Sequence, residues 1–368
     1  MKILVTGADG FIAKNLLVHL RQKQEINVVA INRTDSKDEL KKHLTDANII
    51  FHLAGVNRPK TNDAFETDNK ELTSFIVEQL EQRKNFYKLI FSSSTQALLD
   101  NPYGKSKKEA EDYIRSFVKN GSAVIYRLPG VFGKWCKPNY NSVVATFCYN
   151  VAHHLPLQVN DPNHLLKIVY VDDVVHSLVN QLNKKTEAGK IVDEEVGTEY
   201  QITLGKLAQT IESFQTNRQT LFVPDVGNAL EKALYSTWLT YLPENDFSYS
   251  LELKTDNRGS LFELLKSKNS GQIFISTTLP GITRGNHYHH TKTEKFVVIQ
   301  GEGLIQFRSV LGKDVIEYKV SGIKPTVVDI PPGYTHNITN TGDEMMVTLF
   351  WANEVFDAQR PDTTFEKV

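Results

Sequence analysis

The chain has 368 residues, 40% of them hydrophobic and 23% charged, and a formal net charge of −1 at pH 7. This length allows two domains that each bury a core, and the near-neutral mixture of charges excludes broad affinity for nucleic acid or an anionic membrane. Two cysteines are too few for a disulfide framework, and without a signal peptide or an apolar run near the ~20 residues of a membrane span we expect a cytoplasmic protein.

The first half of the sequence alternates short apolar runs with helical patterns. The predicted strands are "KILVTG", "VVAINR", "NIIFHLAG", "KLIFSSS" and "AVIYRLPG", and the predicted helices cover residues 11–23, 37–44, 70–83 and 106–119. Strands that are apolar throughout and alternate with helices are typical of a Rossmann-type α/β fold, a doubly wound parallel sheet with helices on both faces. We assign this pattern to a first domain over residues 1–243.

The pattern changes at about Asp246. From there, short alternating segments such as "EKFVVIQGEG", "VIEYKVSG" and "MMVTLFWANE" are separated by Gly, Pro and Asn, and long helical periodicity is missing. Segments of this kind predict an all-β barrel or sandwich. We assign them to a second domain over residues 252–368.

A glycine-containing loop, "TGADGFIA", follows the first predicted strand. Gly7 and Gly10 permit a tight turn, and a helix that opens with Phe11 and Ile12 directs its first N–H groups to the place where a pyrophosphate can bind. A plain strand–helix turn is the alternative. The position after the first strand of an alternating series favours a dinucleotide cofactor.

The end of the second predicted strand bears on which cofactor is used. NAD sites place a carboxylate there, whereas this chain has Asn32, Arg33 and Thr34. An arginine suits a 2′-phosphate, and the missing acid removes a repulsion. The pattern therefore favours NADPH, with a solvated surface arginine as the alternative for Arg33.

Candidate proton-transfer residues lie in "FSSSTQ" and "PYGKSK". Tyr103 and Lys107 are four residues apart at the start of a helix, so their side chains share one face. A neighbouring lysine stabilises phenolate and thereby lowers the pKa of a tyrosine. Ser94, after the fourth strand, can hold a carbonyl oxygen together with Tyr103. A chance Tyr-x-x-x-Lys spacing is the alternative.

Six segments together resemble the extended short-chain dehydrogenase/reductase family, in its sugar-nucleotide-modifying branch: "TGADGFIA", "FHLAG", "IFSSST", "PYGKSK", "YRLPGVFG" and "YVDDVV". The resemblance implies that Ser94, Tyr103 and Lys107 are catalytic and that residues 127–131 line the nicotinamide side. Further expected contacts to the cofactor come from Leu53, Ala54, Gly55, Tyr103, Lys107 and Pro129, and expected contacts to the substrate come from Lys134 and Asn139. Only eight residues separate Ser94 from Tyr103, fewer than in most relatives, so we expect an open substrate pocket.

Two segments of the second domain supply metal-type ligands. "GNHYHHTKTEKF" contains His287, His289 and Glu294, and "PPGYTHNITN" contains His336. His287 and His289 alternate along a strand and so point to the same face. Three imidazoles and one carboxylate suit Zn, Fe, Mn or Ni, and we expect one divalent metal per chain, with zinc as the first candidate. A His-rich surface loop is the alternative.

The same two segments match both motifs of the cupin family, so residues 252–368 resemble a cupin, which implies a jelly-roll (double-stranded β-helix) domain. "DNRGSLFELL" further resembles the cupins that act as sugar-nucleotide 3,5-epimerases, and this implies that Arg258 contacts the nucleotide. In those epimerases a histidine after Arg-Gly is the base. His287 is therefore either a metal ligand or a base.

A reductase joined to a sugar-type cupin resembles the bifunctional enzymes of capsular polysaccharide biosynthesis. The resemblance implies a UDP-linked 4-keto-6-deoxy-N-acetylhexosamine as substrate: the cupin epimerises carbon 3, and the reductase uses NADPH on the 4-ketone to give UDP-2-acetamido-2,6-dideoxy-L-talose, on the path to UDP-N-acetyl-L-fucosamine. We also expect a homodimer or higher homo-oligomer. The alternatives are a single-activity NADPH-dependent reductase with a structural cupin and a non-catalytic NADPH-binding sensor or scaffold.

Overall fold

The computed structural model describes residues 1–57 and 65–368. The chain divides into a first unit, Met1–Glu212 with Ala233–Pro243, and a second unit, Ser213–Lys232 with Glu244–Val368. Ser213–Lys232 lies within the range predicted for the first domain but groups with the second unit. The backbone explains part of this grouping, because Val223 N donates to Lys266 O at 2.8 Å and Lys266 N donates to Leu221 O at 2.7 Å.

The first unit is built on a parallel sheet, as predicted. Its strands are β1 Lys2–Thr6, β2 Asn27–Ile31, β3 Ile49–His52, β4 Lys88–Ser94, β5 Ser122–Leu128, β6 Gly130–Phe132, β7 Leu165–Tyr170, β8 Ile191–Glu194 and β9 Tyr200–Thr203. Six of them pair in parallel in the order β2-β1-β3-β4-β5-β8, and β6, β7 and β9 form a small separate sheet. The strand order reverses at β1, and ligands of such sheets bind beyond the carboxyl ends of the strands at this point.

Helices cover both faces of the large sheet. In chain order, the helices up to residue 239 are α1 Phe11–Arg21, α2 Lys37–Leu44, α3 Leu72–Glu81, α4 Pro102–Phe117, α5 Val143–Ala152, α6 Val171–Asn180, α7 Leu204–Thr220 and α8 Ala229–Leu239. Of these, α1 and α6 cover one face, and α2, α3 and α4 cover the other. Ile3 and Val5 of β1 pack in the core beneath α1 and α6, whereas Leu4 packs in the core beneath α2, α3 and α4. Within the described ranges, no helix combines the length and apolar character that crossing a bilayer requires.

The predicted helix over 37–44 is confirmed, whereas three other predicted bounds shift. The helix predicted over 11–23 ends at Arg21, and the one predicted over 70–83 spans Leu72–Glu81 after a π-helical turn, Glu66–Glu71. The helix predicted to begin at residue 106 begins at Pro102. The side chain of Asn101 accepts from Gly104 N at 2.8 Å and caps that helix one turn early. Tyr103 therefore lies in the first turn of α4.

The second unit is all-β in its main body, as predicted. Its strands are β10 Lys254–Asp256, β11 Gly259–Ser267, β12 Gly271–Thr278, β13 Thr283–Tyr288, β14 Glu294–Gln300, β15 Glu302–Ser309, β16 Val315–Ser321, β17 Val328–Ile330, β18 Tyr334–Asn340, β19 Met346–Ala352 and β20 Thr364–Phe365. Two antiparallel sheets form, in the orders β10-β11-β12-β19-β14-β17 and β16-β15-β18-β13-β20. Phe296 and Phe350 of one sheet share a buried core with Ile305, Phe307 and Ile338 of the other, so the sheets pack face to face.

Candidate functional site

Ser94 and Tyr103 meet at the carboxyl end of the parallel sheet. Ser94 is the last residue of β4, and Tyr103 lies in the first turn of the helix that follows. The Ser94 hydroxyl is close enough to the Tyr103 phenol to act on its pKa. Lys107 lies one turn further along α4, so the structure brings the three predicted catalytic residues to one edge of the sheet.

Lys107 is buried with only 5% of its surface exposed. Its amine donates to Ser92 O at 2.9 Å and lies 4.9 Å from the centre of the Phe91 ring. Burial disfavours the ammonium and lowers the pKa of Lys107 to about 8, although the Glu111 carboxylate acts in the opposite direction. Near neutral pH this amine is therefore still mostly charged.

The pKa of Tyr103 is raised, which contradicts the expectation that Lys107 lowers it. Burial is the main cause, the Ser94 hydroxyl acts against it, and Tyr140 raises the pKa further. The Lys107 amine is directed to the carbonyl of Ser92, which explains its failure to offset the burial. Tyr103 is consequently a neutral phenol at pH 7, the form that can donate a proton. Tyr140 is a neighbour that the sequence did not predict.

Glu111 is a second residue of this region that the sequence did not single out. Its buried carboxylate accepts from Ser93 Oγ at 2.5 Å and from Arg127 Nε at 2.9 Å. Tyr103, Lys107 and Glu111 follow each other at a spacing of four on α4 and so share a face. Its position four residues after Lys107 could have identified Glu111 from the sequence. Arg127, expected on the nicotinamide side, is held by this carboxylate.

The predicted cofactor loop has the geometry of a cradle. Gly7 has a φ of +69°, and a Cβ on it would lie 2.6 Å from Ala54 Cα, so no side chain fits there. Gly10 precedes α1 and gives it no side-chain cap. The first N–H groups of α1, from Phe11 onward, are therefore available to an anion. Leu53 follows β3 directly, which places residues 53–55 beside the loop.

Asn69 fixes the segment after β3. It accepts from Val56 N at 2.9 Å and donates to Val56 O at 3.0 Å and to Ser106 Oγ at 2.9 Å. A Cβ on Gly55 would lie 2.8 Å from the Asn69 side-chain oxygen and 3.0 Å from Lys107 Nζ. Gly55 thus lets the loop approach Lys107 closely.

The second-strand residues Asn32 and Arg33 differ in their surroundings. Asn32 Oδ1 is buried and, within the part of the chain that is described, has no hydrogen-bond partner. It lies at a cavity of about 450 Å³ that Ala8 and Trp135 also line. Arg33 is 80% exposed and its Nη2 lies 2.9 Å from Asp68 Oδ2. The buried Asn32 oxygen without a partner, the loop with Gly7 and Gly10, and the exposed Arg33 guanidinium together fit a dinucleotide.

The two residues predicted to bind substrate in the first unit have other partners. The Lys134 amine lies 2.5 Å from Asp172 Oδ1, and its carbonyl accepts from Asn15 at 3.2 Å, so Lys134 is anchored between α1 and α6. Asn139 is exposed, and its backbone N donates to Thr146 Oγ1 at 3.0 Å. Neither contact set provides evidence for a substrate role. Pro129 follows β5, at the carboxyl end of the sheet, as expected of a residue near the cofactor.

The four predicted metal ligands of the second unit converge. His287 lies on β13, His289 just after it, Glu294 at the start of β14 and His336 on β18. Their candidate ligand atoms all lie within 4.8 Å of one another. Glu294 Oε2 lies 3.3 Å from His289 Nε2 and 3.4 Å from His336 Nε2. A bulge at Asn286, with a φ of +60°, accompanies this register.

Two carbonyl groups determine which imidazole nitrogens face the cluster. His289 Nδ1 donates to Asp362 O at 2.5 Å, and His336 Nδ1 donates to Tyr334 O at 3.1 Å. Both Nε2 atoms therefore face Glu294. His336 Nε2 is buried and lacks a hydrogen-bond partner among the described residues. Three nitrogens and one carboxylate oxygen, oriented by carbonyl groups behind them, fit zinc or a similar divalent ion.

The protonation states in this cluster also suit a cation. Burial, with His336 and His289 nearby, lowers the pKa of His287 to about 4. Burial acts to raise the pKa of Glu294, but His289 and His336 outweigh it and hold that pKa at about 2. At neutral pH the cluster therefore contains an ionised carboxylate and a neutral His287.

Arg258 lies in a charged group elsewhere in the second unit. Its guanidinium binds Asp256 through Nε at 2.9 Å, and 51% of its side chain is exposed. Arg284 lies 3.9 Å from the same carboxylate and donates to Thr277 O at 3.0 Å. Lys292, in the turn between His289 and Glu294, donates its amine to Pro361 O at 3.0 Å.

Two family descriptions match the chain. Residues 3–194 match the NAD dependent epimerase/dehydratase family, and residues 254–364 match the polysaccharide biosynthesis C-terminal domain. The UDP-2-acetamido-2,6-beta-L-arabino-hexul-4-ose reductase of Pseudomonas aeruginosa is 43% identical over 365 residues, which cover 99% of this chain and 98% of that protein.

Solved structures of similar chains cover the full length. The capsular polysaccharide assembling protein CapF from Staphylococcus aureus is 44% identical, covers 100% of both chains and has a TM-score of 0.91. A structure of CapF with the inhibitor 3-isopropenyl-tropolone is 40% identical, covers 100% of both chains and has a TM-score of 0.87. Both units of this chain, in the same order, therefore have counterparts in one protein.

Proposed function

This chain belongs to the NAD dependent epimerase/dehydratase family, and we propose that it is a bifunctional nucleotide-sugar enzyme of cell-surface polysaccharide biosynthesis. The second unit, a cupin, epimerises carbon 3 of a UDP-linked 2-acetamido-2,6-dideoxy-4-hexulose. The first unit reduces the 4-ketone with NADPH to UDP-2-acetamido-2,6-dideoxy-L-talose. Identity of 43% across 99% of the chain to a UDP-hexulose reductase supports the substrate class.

Tyr103 is the residue on which the reductive step depends. Burial keeps its phenol neutral, and the Ser94 hydroxyl lies beside it, so the two hydroxyls form a pair of donors for the ketone oxygen. When bound, NADPH supplies the hydride that adds to carbon 4. Tyr103 gives its proton to the ketone oxygen, and the largely charged Lys107 supplies positive charge one turn further along the same face of α4.

The glycine loop after β1 and the residues at the end of β2 are the proposed contacts to NADPH. Gly7 and Gly10 leave room for a pyrophosphate at the N-terminus of α1, and Gly55 leaves room beside Lys107. Asn32 offers an unsatisfied oxygen to a hydroxyl or amide donor. Arg33 binds the 2′-phosphate of NADPH by exchanging its present partner, Asp68.

Epimerisation requires loss of the proton on carbon 3, which the neighbouring ketone acidifies, and stabilisation of the resulting enolate. We assign His287, His289, Glu294 and His336 to one divalent metal, with zinc as first choice. The metal supplies positive charge when bound. His287 acts as a ligand in this assignment rather than as the base. The tropolone inhibitor of CapF is consistent with it, because a tropolone presents two adjacent oxygens as donors.

A solvent-exchange experiment tests the two activities separately. The protein is incubated with the UDP-linked 4-hexulose in deuterated water, first without NADPH and then with it. We expect deuterium at carbon 3 in both cases and consumption of NADPH only in the second. Reduction without label at carbon 3 would instead establish a single-activity reductase. If neither label nor NADPH consumption is observed, the non-catalytic NADPH-binding protein is the remaining alternative.

A further inference from the structure

The chain after β19 returns to the cluster of His287, His289, Glu294 and His336. It contacts each of the three histidines or a residue next to it in sequence. Phe365 of β20 pairs with His287 on β13, and Glu366 N donates to Asn286 O at 3.0 Å. On the opposite strand, Thr335 donates its hydroxyl to Glu366 O. Residues 362–366 are thus fastened to both strands that carry the ligands.

Asp362 makes the densest set of these contacts. Its carboxylate accepts from the backbone N of His290, Thr291 and Lys292, each at 2.9 Å, and from the Thr291 hydroxyl at 3.0 Å. These residues form the turn between His289 and Glu294. The carboxylate therefore fixes the turn whose two ends are metal-type ligands.

The backbone of Asp362 acts on His289 directly. Its carbonyl accepts from His289 Nδ1 at 2.5 Å, so Nε2 is the ring nitrogen that faces Glu294. Asp362 has a φ of +38°, a region that few residues other than glycine, asparagine and aspartate adopt. One residue thus holds the turn with its side chain and the imidazole with its carbonyl.

We propose that Asp362 is a positioning residue of the metal site, which sets the orientation of His289 and the distance between His289 and Glu294. This inference rests on the metal site assigned under the proposed function. Groups behind metal ligands orient them, and their loss typically weakens metal affinity about 10- to 100-fold.

The test uses full-length protein and zinc itself. In Asp362→Gly the backbone can keep its positive φ while all carboxylate contacts are lost; Asp357→Gly is the matched control, because Asp357 lies in the same segment and accepts from Gln359 N instead. Zinc affinity is measured by competition with a chromophoric chelator. We expect about 10- to 100-fold weaker binding in Asp362→Gly and wild-type binding in Asp357→Gly.

A second measurement separates positioning from general stability. Asp362→Asn keeps the shape and the left-handed backbone but replaces one acceptor oxygen with a donor. Its Co²⁺-loaded absorption spectrum, recorded at a temperature at which the metal-free variant is fully folded, should differ from the wild-type spectrum. Equal zinc affinity in Asp362→Gly and Asp357→Gly, or an unchanged Co²⁺ spectrum in Asp362→Asn, would overturn the positioning role alone. If the wild-type protein binds no zinc and no Co²⁺, the metal assignment falls and the positioning role falls with it.

Discussion

His287 and His336 lie opposite each other on paired antiparallel strands, with ring centres 4.6 Å apart. The register between β13 and β18 therefore brings together one proposed ligand from each of the two sequence segments. Burial in this position keeps His287 uncharged at neutral pH, with its pKa near 4. A half-buried and a fully buried imidazole beside a buried carboxylate form an arrangement that a cation stabilises.

Purified protein should consequently contain about one divalent ion per chain, and His336→Ala should abolish it. Because an ion that binds only the folded state stabilises it by about 4 kcal/mol at 1,000 times its dissociation constant, chelation should lower the thermal midpoint of the second unit. Elemental analysis and calorimetry measure the two effects. His290→Ala is the control, because the His290 ring packs against Tyr288 instead. An unchanged metal content in His336→Ala would contradict the ligand assignment.

The ligands could be predicted from the sequence because their spacing within short segments encodes strand faces. His287 lies on β13 and His289 directly after that strand, so the two-residue spacing predicted to share a face does bring both towards Glu294. Asp362 could not be predicted in this way, because its contacts arise only when the end of the chain folds back on the turn after His289.

Side-chain partners and pKa values were the least predictable features. Lys134 carries a charge that suits a sugar nucleotide, but the sequence cannot show that Asp172 lies 2.5 Å from its amine. The spacing of Tyr103 and Lys107 was correctly interpreted as one helical face. The direction of the Tyr103 pKa shift was not, because burial outweighs the neighbouring groups.

Tyr103→Phe removes the proposed proton donor and keeps the ring. Reduction should slow by about 100-fold or more, the usual scale for general acid catalysis. Binding of NADPH and deuterium exchange at carbon 3 should persist, because neither needs the hydroxyl. Rates are compared with those of Tyr140→Phe, which removes a hydroxyl from a neighbouring ring. Reduction at the wild-type rate in Tyr103→Phe would mean that another group donates the proton.

Lys107 should leave a signature in the pH dependence of unfolding. Its pKa is about 8 in the folded chain against an ordinary value of 10.5. Between these values the unfolded chain binds more protons, so this residue makes the folded state more stable as pH rises. Urea unfolding of wild-type protein and Lys107→Met at pH values of about 8 and 10 measures the effect. The difference between the two proteins should move in favour of the wild type at the higher pH.

The comparison with Lys107→Met is needed because other groups act in the opposite direction. Burial raises the pKa of Cys136 and of Cys148, whose contribution to stability is lost as pH rises. These groups are common to both proteins and cancel in the difference. Parallel pH profiles for wild type and variant would show that the pKa of Lys107 is not lowered in the folded chain.

Because Arg33 pairs with Asp68, substitutions of these two residues should change the KM for NADPH in opposite directions. Arg33→Ala should raise the KM for NADPH by about 10-fold and leave that for NADH nearly unchanged, since hydrogen bonds between charged groups contribute about 1.5–3 kcal/mol. Asp68→Asn keeps the size of the side chain but removes the carboxylate that competes with a 2′-phosphate for the guanidinium, 2.9 Å away. It should therefore lower the KM for NADPH. Equal use of NADPH and NADH by the wild-type protein would refute the cofactor assignment. A preference for NADPH that survives Arg33→Ala would show that a different cationic residue binds the 2′-phosphate.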